Sequence, residues 1–383
     1  MNVYINDCVR TTRGKARPGG GLANETPESL VAALVGSMEG RGRLDRKEAE
    51  HLALGCVGQV GAQGGHIALI AKIAANLPAK TTAHTINNFC VSGLTAIGSA
   101  AASVEAGHNR IALAGGVEML SRVPFMADKA DYYIAENFTP RDSYIPVALA
   151  ADILADDENI SRSQLDELAF LSQTRAAAAD ADSALQASRI NIGGIISDEA
   201  IRPTNMDSLA RLEPAFSPLA KEYRRALGDK EIEHRLTVAH APPMADGAGL
   251  AAIGSPGAFL NPRARIVAYG ESGGDPRQSL LAGIAAMKKV LTSAELTLDD
   301  MDRIEFMEAF ATPVAIFKRD WKPDMNKVNV GGGHIAKGHP MGATGAILLS
   351  TLMDALDAAA GKYGLVVTSG AQGAGAAMII ERL

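Results

Sequence analysis

The feature that most constrains the fold of this chain is an internal duplication. One copy runs from Cys90 to Glu118: a helix of small residues over Ala96 to Ala106, Arg110-Ile111-Ala112-Leu113-Ala114 as a buried strand, then Gly115-Gly116. The other runs from His339 to Gly375: a helix over Gly345 to Ala359, a strand Gly364-Leu365-Val366-Val367-Thr368, and a glycine-rich turn from Gly370 to Gly375. Uninterrupted apolar runs such as Leu365-Val366-Val367 suit strands buried on both faces, and their alternation with helices predicts parallel, helix-covered sheets. Ala376-Ala377-Met378-Ile379-Ile380 reads as a return strand that pairs locally. The fold class is therefore α/β, with two duplicated halves stacked so that related helices meet in the middle.

Between the copies the texture changes to more charge and weaker strand pattern. The spacing predicts a helix over Leu165 to Ala179, started at Ser161, and a surface loop over the proline-containing stretch Pro203 to Tyr223. Three units follow: an N-terminal half over residues 1–118 plus 237–261, an inserted helical and loop region over 119–236, and a C-terminal half over 262–383. The second half opens near Pro262 with the strand Ala264-Arg265-Ile266-Val267-Ala268-Tyr269.

Charge excludes some functions. With 37 basic and 43 acidic residues the net charge is −6, and no basic stripe points to a nucleic-acid partner. No apolar stretch approaches the roughly 20 residues of a membrane span, and no signal peptide is visible. Three scattered cysteines (Cys8, Cys56 and Cys90) make neither a disulfide framework nor a CxxC metal site. The expectation is a soluble cytoplasmic protein that holds no metal. Gly270 to Asp275 and Gly331 to Gly333 match neither GxGxxG nor P-loop spacing, which argues against a nucleotide cofactor.

Chemistry concentrates at the starts of the two repeated helices. In Asn88-Phe89-Cys90-Val91-Ser92-Gly93-Leu94 a cysteine stands where an extended run, Thr81 to Asn87, gives way to a helix. Unsatisfied N–H groups and the helix dipole there favour a thiolate. In Gly338-His339-Pro340 a histidine holds the matching place of the second repeat. Pseudo-symmetry brings the two together as a nucleophile and its base or acid.

Four blocks, in order, resemble the thiolase family over the whole length from Met1 to Leu383. They are Asn88 to Leu94, Gly115-Gly116-Val117-Glu118-Met119-Leu120-Ser121, Glu308-Ala309-Phe310-Ala311, and Gly338-His339-Pro340-Met341-Gly342-Ala343-Thr344-Gly345. The resemblance implies two stacked halves with an inserted loop domain, assembled as a homodimer or homotetramer. It also implies acyl transfer from an acyl-CoA or acyl-carrier thioester, with no cofactor besides acyl-CoA as substrate. Cys90 would take the acyl group, His339 would activate it, and the N–H groups of Cys90 and Ala371 would form an oxyanion hole.

The sequence departs from the family at the second half-reaction. Ser369 stands where the family carries a second, acid/base cysteine, and an alcohol is poorly suited to remove a proton from an acyl α-carbon. Met307 replaces the asparagine or histidine of the second oxyanion hole, and methionine is only a weak acceptor. Pro242 and Pro146 replace a serine and a histidine along the implied substrate tunnel, where Phe310 also lies. His334 and His240 are replacement bases in principle; Glu308 reads as structural, with acid/base work as its alternative. Asp152, Asp156, Asp157 and Glu158 read as a solvated acidic run. These residues predict an acetyl-CoA C-acyltransferase-like enzyme, impaired or redirected to another acceptor. The alternative is an acyl-holding or structural subunit of a multienzyme complex.

Overall fold

A computed structural model describes all 383 residues. Nine principal strands are β1 (Val3–Thr11), β2 (His51–Gly55), β3 (Thr82–Ile86), β4 (Ile111–Met119), β5 (Ala245–Gly254), β6 (Ala264–Ser272), β7 (Arg303–Phe306), β8 (Tyr363–Ser369) and β9 (Gly375–Arg382). They hydrogen-bond in the order β3-β2-β4-β5-β1-β6-β9-β8-β7, and the two-residue strands Gly14–Lys15 and Arg189–Ile190 attach to β5 and β1. The order is close to a palindrome about the β1–β6 junction. On each side an outer parallel pairing (β2 with β4, β7 with β8) gives way to antiparallel neighbours toward the centre.

The expected parallel pairing holds for the outer strands, and the return strand expected over Ala376 to Ile380 pairs locally with β8. Parallel neighbours need a helical crossover, and β2, β3, β4, β7 and β8 have one. β9 instead returns from β8 through the short turn at Gly370 to Ala374, so it must run antiparallel. β5 re-enters after the whole insertion and β1 begins the chain, so no crossover constrains either.

The principal helices are α1 (Pro27–Gly40), α2 (Ile67–Ala74), α3 (Ser92–Glu105), α4 (Val147–Asp157), α5 (Arg162–Asp180), α6 (Ala282–Ala294), α7 (Ala311–Trp321) and α8 (Thr344–Ala358). α3 and α8 lie in the middle and pack against strands of both halves, as the repeat predicts. A 61-residue apolar cluster spans these central helices and the C-terminal half, while a second of 23 residues fills the layer under α1 and α2. Small residues let the two central helices touch through their backbones. A Cβ on Gly93 would lie 2.7 Å from Gly342 O, and one on Gly345 would lie 2.5 Å from Leu94 N.

The insertion is more ordered than its composition predicts. Ser161 caps α5 in a reciprocal capping box with Gln164, as its position predicts. Pro203–Tyr223, expected as loop, contains helices over Met206–Ala210 and Ser217–Glu222. Asn205 caps the first, and Pro218 sits in the first turn of the second, where no N–H partner is lost. The acidic run is not all solvated either. Asp152 is fully buried, and its carboxylate accepts from the N–H groups of Arg235 and Leu236 at 3.0 and 3.1 Å.

Candidate active site

Cys90 lies on a tight turn between β3 and α3. Phe89 adopts left-handed φ of 47°, and the Ser92 hydroxyl clamps the turn by donating to Phe89 O (2.5 Å) and accepting from Asn88 N (2.8 Å). A non-glycine residue held there is strained, and such strain concentrates at functional sites. Gly370 completes the turn's surroundings: a Cβ on it would sit 3.3 Å from Cys90 N. The N–H groups of Ala371 and of Cys90 itself favour the Cys90 thiolate.

The thiol's electrostatics reverse the expectation from its helix-end position. Burial pushes Cys90 up to about 12, outweighing the two N–H groups that pull it down. The helix dipole acts mainly within the first turn of a helix, and Cys90 precedes Ser92 by two residues in an apolar setting. The resting group is a thiol.

His339 is buried in the Gly-His-Pro turn that leads to α8. Its N–H donates to Pro243 O (2.8 Å), and its Nδ1 pairs with Thr344 Oγ1 at 2.8 Å, which leaves Nε2 free for chemistry. Burial, reinforced by the buried Arg13 guanidinium, lowers it to about 3, so the imidazole is neutral. The helix starts that follow Cys90 and His339 are the ones in backbone contact, and Met341, two residues beyond His339, lines the same cavity as Cys90.

That cavity is small, about 30 Å³, and its lining includes Phe89, Cys90, Tyr133, Tyr144, Met341 and Ala371. Pro242, Pro146, Phe310 and Met307 lie outside it. Phe310 packs edge-on against Phe216 (6.0 Å between centroids), and Met307 is buried in the large apolar cluster. Pro146 is buried at the start of α4, and Pro242 is half-buried on the approach to β5.

Ser369 is committed elsewhere. Its hydroxyl donates to Leu280 O (2.9 Å) and accepts from Gly283 N (3.1 Å), tying β8 to the first turn of α6. It does not line the Cys90 cavity. Among the substitute bases, His240 is fully spoken for: Nε2 meets Asp166 Oδ1 at 2.7 Å and Nδ1 accepts from Thr237 N at 3.0 Å. His334 differs. It is fully buried, both its ring nitrogens lack partners, and its ring stands edge-on to His339 at 5.5 Å. Glu308 accepts from Ser172 Oγ (2.6 Å), Asn329 Nδ2 (3.1 Å) and Ile335 N (3.1 Å), a scaffold for the segment leading to His339.

Sequence reasoning missed two supporting residues. Glu118 is buried at the end of β4, where its carboxylate accepts from Val57 N (2.9 Å), Gly58 N (3.0 Å), Gln63 Nε2 (2.6 Å) and Gly342 N (3.0 Å). It thereby ties the Gly-His-Pro turn of one half to a loop of the other. Its signal was visible, a lone carboxylate closing an otherwise apolar strand. Arg13, fully buried with Nη1 on Gly338 O (3.3 Å), lies behind His339 and showed no such signal.

The sequence model of the thiolase N-terminal domain matches residues 3–220, and that of the thiolase C-terminal domain matches residues 260–382. The chain is 32% identical to a beta-ketoadipyl-CoA thiolase of Pseudomonas aeruginosa over all of this chain and 99% of that one. It is 33% identical to a 3-ketoacyl-CoA thiolase of Vibrio cholerae over 99% of each. Its structure superposes on the Bacillus anthracis acetyl-CoA acetyltransferase with a TM-score of 0.86 at 27% identity, covering 100% of this chain and 99% of that one. The chain, an acyltransferase by these relationships, belongs to the thiolase family.

Proposed function

We propose that Cys90 accepts an acyl group from an acyl thioester of coenzyme A or of a carrier. His339 Nε2 takes the thiol proton as Cys90 Sγ bonds to the carbonyl carbon. The N–H groups of Cys90 and Ala371 hold the oxyanion, and the departing thiolate takes the proton back as its C–S bond breaks. The neutral imidazole suits this role, because it enters the step with a free lone pair. The observation that carries the reading is a cavity-lining cysteine on a strained turn, next to the left-handed Phe89, whose thiolate the N–H groups of Cys90 and Ala371 favour. The relatives, a beta-ketoadipyl-CoA thiolase and an acetyl-CoA acetyltransferase, support the substrate class.

The acceptor is the divergent part of the reading. A second acyl thioester would require removal of an α-proton, and with Ser369 turned onto α6 that task falls to His339 alone. A heteroatom or carrier-thiol acceptor needs no carbanion and fits the retained groups. The second reading, an acyl-holding subunit of a larger complex, is favoured by the same commitment of Ser369 and by the apolar burial of Met307. Incubation with acetyl-CoA followed by acetoacetyl-CoA thiolysis separates them. An adduct with thiolysis supports the ordinary reaction, an adduct without it supports the altered acceptor, and no adduct with any acyl-CoA sinks both enzyme readings.

We further propose a homodimer, with a homotetramer as the larger alternative. β3 leaves one sheet edge open, and Ile73 and Leu69 of α2 are 67% and 42% exposed nearby. No helix is long and apolar enough to cross a membrane. A reducing, cytoplasmic compartment completes the reading, because an acyl-accepting thiol must stay reduced. No cofactor beyond the acyl-CoA substrate is required.

A further inference from the structure

The space around Cys90 is divided by a wall of two tyrosines. The cavity lined by Cys90 is about 30 Å³, and a second cavity of about 200 Å³ adjoins it. Tyr133 and Tyr144 are the residues that line both, so their rings stand between the two spaces. A water-sized group takes about 10–15 Å³ of such space, so the inner cavity holds about two or three of them. The methyl, carbonyl carbon and oxygen of an acetyl group match that room. Beyond the wall, Ile134, Ala135 and Ala226 offer apolar surface to a longer chain.

The two rings are held in different ways. The Tyr133 hydroxyl donates to both carboxylate oxygens of Asp128, at 3.1 and 2.9 Å. Tyr144 is only 4% exposed, and its hydroxyl has one partner, Met126 Sδ at 3.9 Å. A thioether is a weak acceptor, so packing holds the Tyr144 ring rather than hydrogen bonding. Its centroid lies 4.7 Å from that of Tyr133 and 5.9 Å from those of Tyr132 and Tyr223. Contacts of this kind favour one ring position. Shortening the side chain at 144 would therefore open the wall while Tyr133 stays tied to Asp128.

We infer that Tyr144 sets the length of the acyl group that Cys90 accepts: its ring closes the inner cavity at about the size of acetyl and withholds the outer cavity from longer straight chains. The inference rests on the reading of Cys90 as acyl acceptor. A six-carbon chain on Cys90 has to displace the Tyr144 ring from its aromatic neighbours, and a single methylene too many in a fitted apolar site already costs about 10- to 200-fold in rate.

Single-turnover acylation of Cys90, read by intact mass spectrometry, compares acetyl-, butyryl- and hexanoyl-CoA on the wild type, Tyr144→Phe, Tyr144→Leu and Tyr144→Ala. The wild type is expected to rank acetyl first, with butyryl slower by about tenfold or more and hexanoyl slower again. Tyr144→Leu and Tyr144→Ala are expected to raise the hexanoyl-to-acetyl ratio by about tenfold or more, whereas Tyr144→Phe, which keeps the ring, leaves it within about twofold. The ratio is taken within one preparation, so partial unfolding of a variant cancels, and leucine keeps the site filled where alanine empties it. A wild type that takes hexanoyl within about threefold of acetyl, or a ratio unmoved in both shortened variants, would overturn the partition and leave Cys90 standing as acyl acceptor. A ratio that rises as far in Tyr144→Phe would also overturn it, by assigning the effect to the hydroxyl. No adduct from any of the three thioesters would refute the acyl-acceptor reading, and the partition's role with it.

Discussion

Replacing Glu118 with glutamine probes how the two halves are held in register at the site. The carboxylate takes two donors on each oxygen: Val57 N and Gly342 N on Oε2, Gly58 N and Gln63 Nε2 on Oε1. Glutamine keeps the shape but presents one acceptor oxygen, so its NH2 must face one of the two pairs. Gln63 cannot rescue the loss by flipping its amide, because its own Oε1 already accepts Met119 N at 2.5 Å. With the NH2 on the Oε1 side, Gln63 Nε2 keeps Gly58 O at 2.9 Å and only Gly58 N is left unpartnered, so Glu118→Gln should cost about 1–3 kcal/mol. That is a large part of the stability of a typical domain. Urea unfolding followed by circular dichroism reads the change, and the rate of Cys90 acylation reads its effect on the Gly342 turn beside His339. A loss below about 0.5 kcal/mol with an unchanged acylation rate would refute the reasoning.

Three other outcomes follow from the same geometry. Gly345→Ala places a Cβ 2.5 Å from Leu94 N and should destabilise by about 1–3 kcal/mol through overpacking, read as a lower unfolding midpoint; an unchanged midpoint would show that the central helices can part. Alkylation of Cys90 by iodoacetamide should rise about tenfold per pH unit from about pH 7 to 10 without a plateau, since a thiol raised to about 12 gains thiolate throughout that range, whereas a plateau near neutrality would show a helix-activated thiolate. Ser369→Cys should not by itself confer thiolysis of acetoacetyl-CoA, because the side chain at that position is directed to Leu280 O and Gly283 N; a gain of more than about tenfold would show that the new thiol reaches substrate.

The architecture was legible where pattern and packing agree. The duplicated helix and strand produced α3 with β4 and α8 with β8, and the small residues of those helices are what allow Gly93 and Gly345 to meet the opposite backbone. Ser161 announced α5 through its reciprocal cap. Sheet direction was less legible, because alternation reports only that helices cover strands; β1 and β5 are joined to their neighbours by no crossover. Cys90 and His339 could be paired by repeat register, but the protonation of Cys90 could not. It is set by a competition between burial and local N–H groups that only the packed interior decides. Ser369 could be placed in its motif, yet its direction depends on which face of β8 it occupies. Glu118 and Arg13 act through partners far away in sequence, such as Gly342 and Gly338, so neither role is a local signal.

The most direct test of the account is intact mass spectrometry after incubation with acetyl-CoA, run on the wild type, Cys90→Ala and His339→Ala. The account predicts a single acetyl adduct on the wild type, mapped to Cys90 by peptide digestion. It also predicts no adduct on Cys90→Ala and a strongly slowed one on His339→Ala. An adduct that persists in Cys90→Ala, or a wild type that never acquires one, would contradict it.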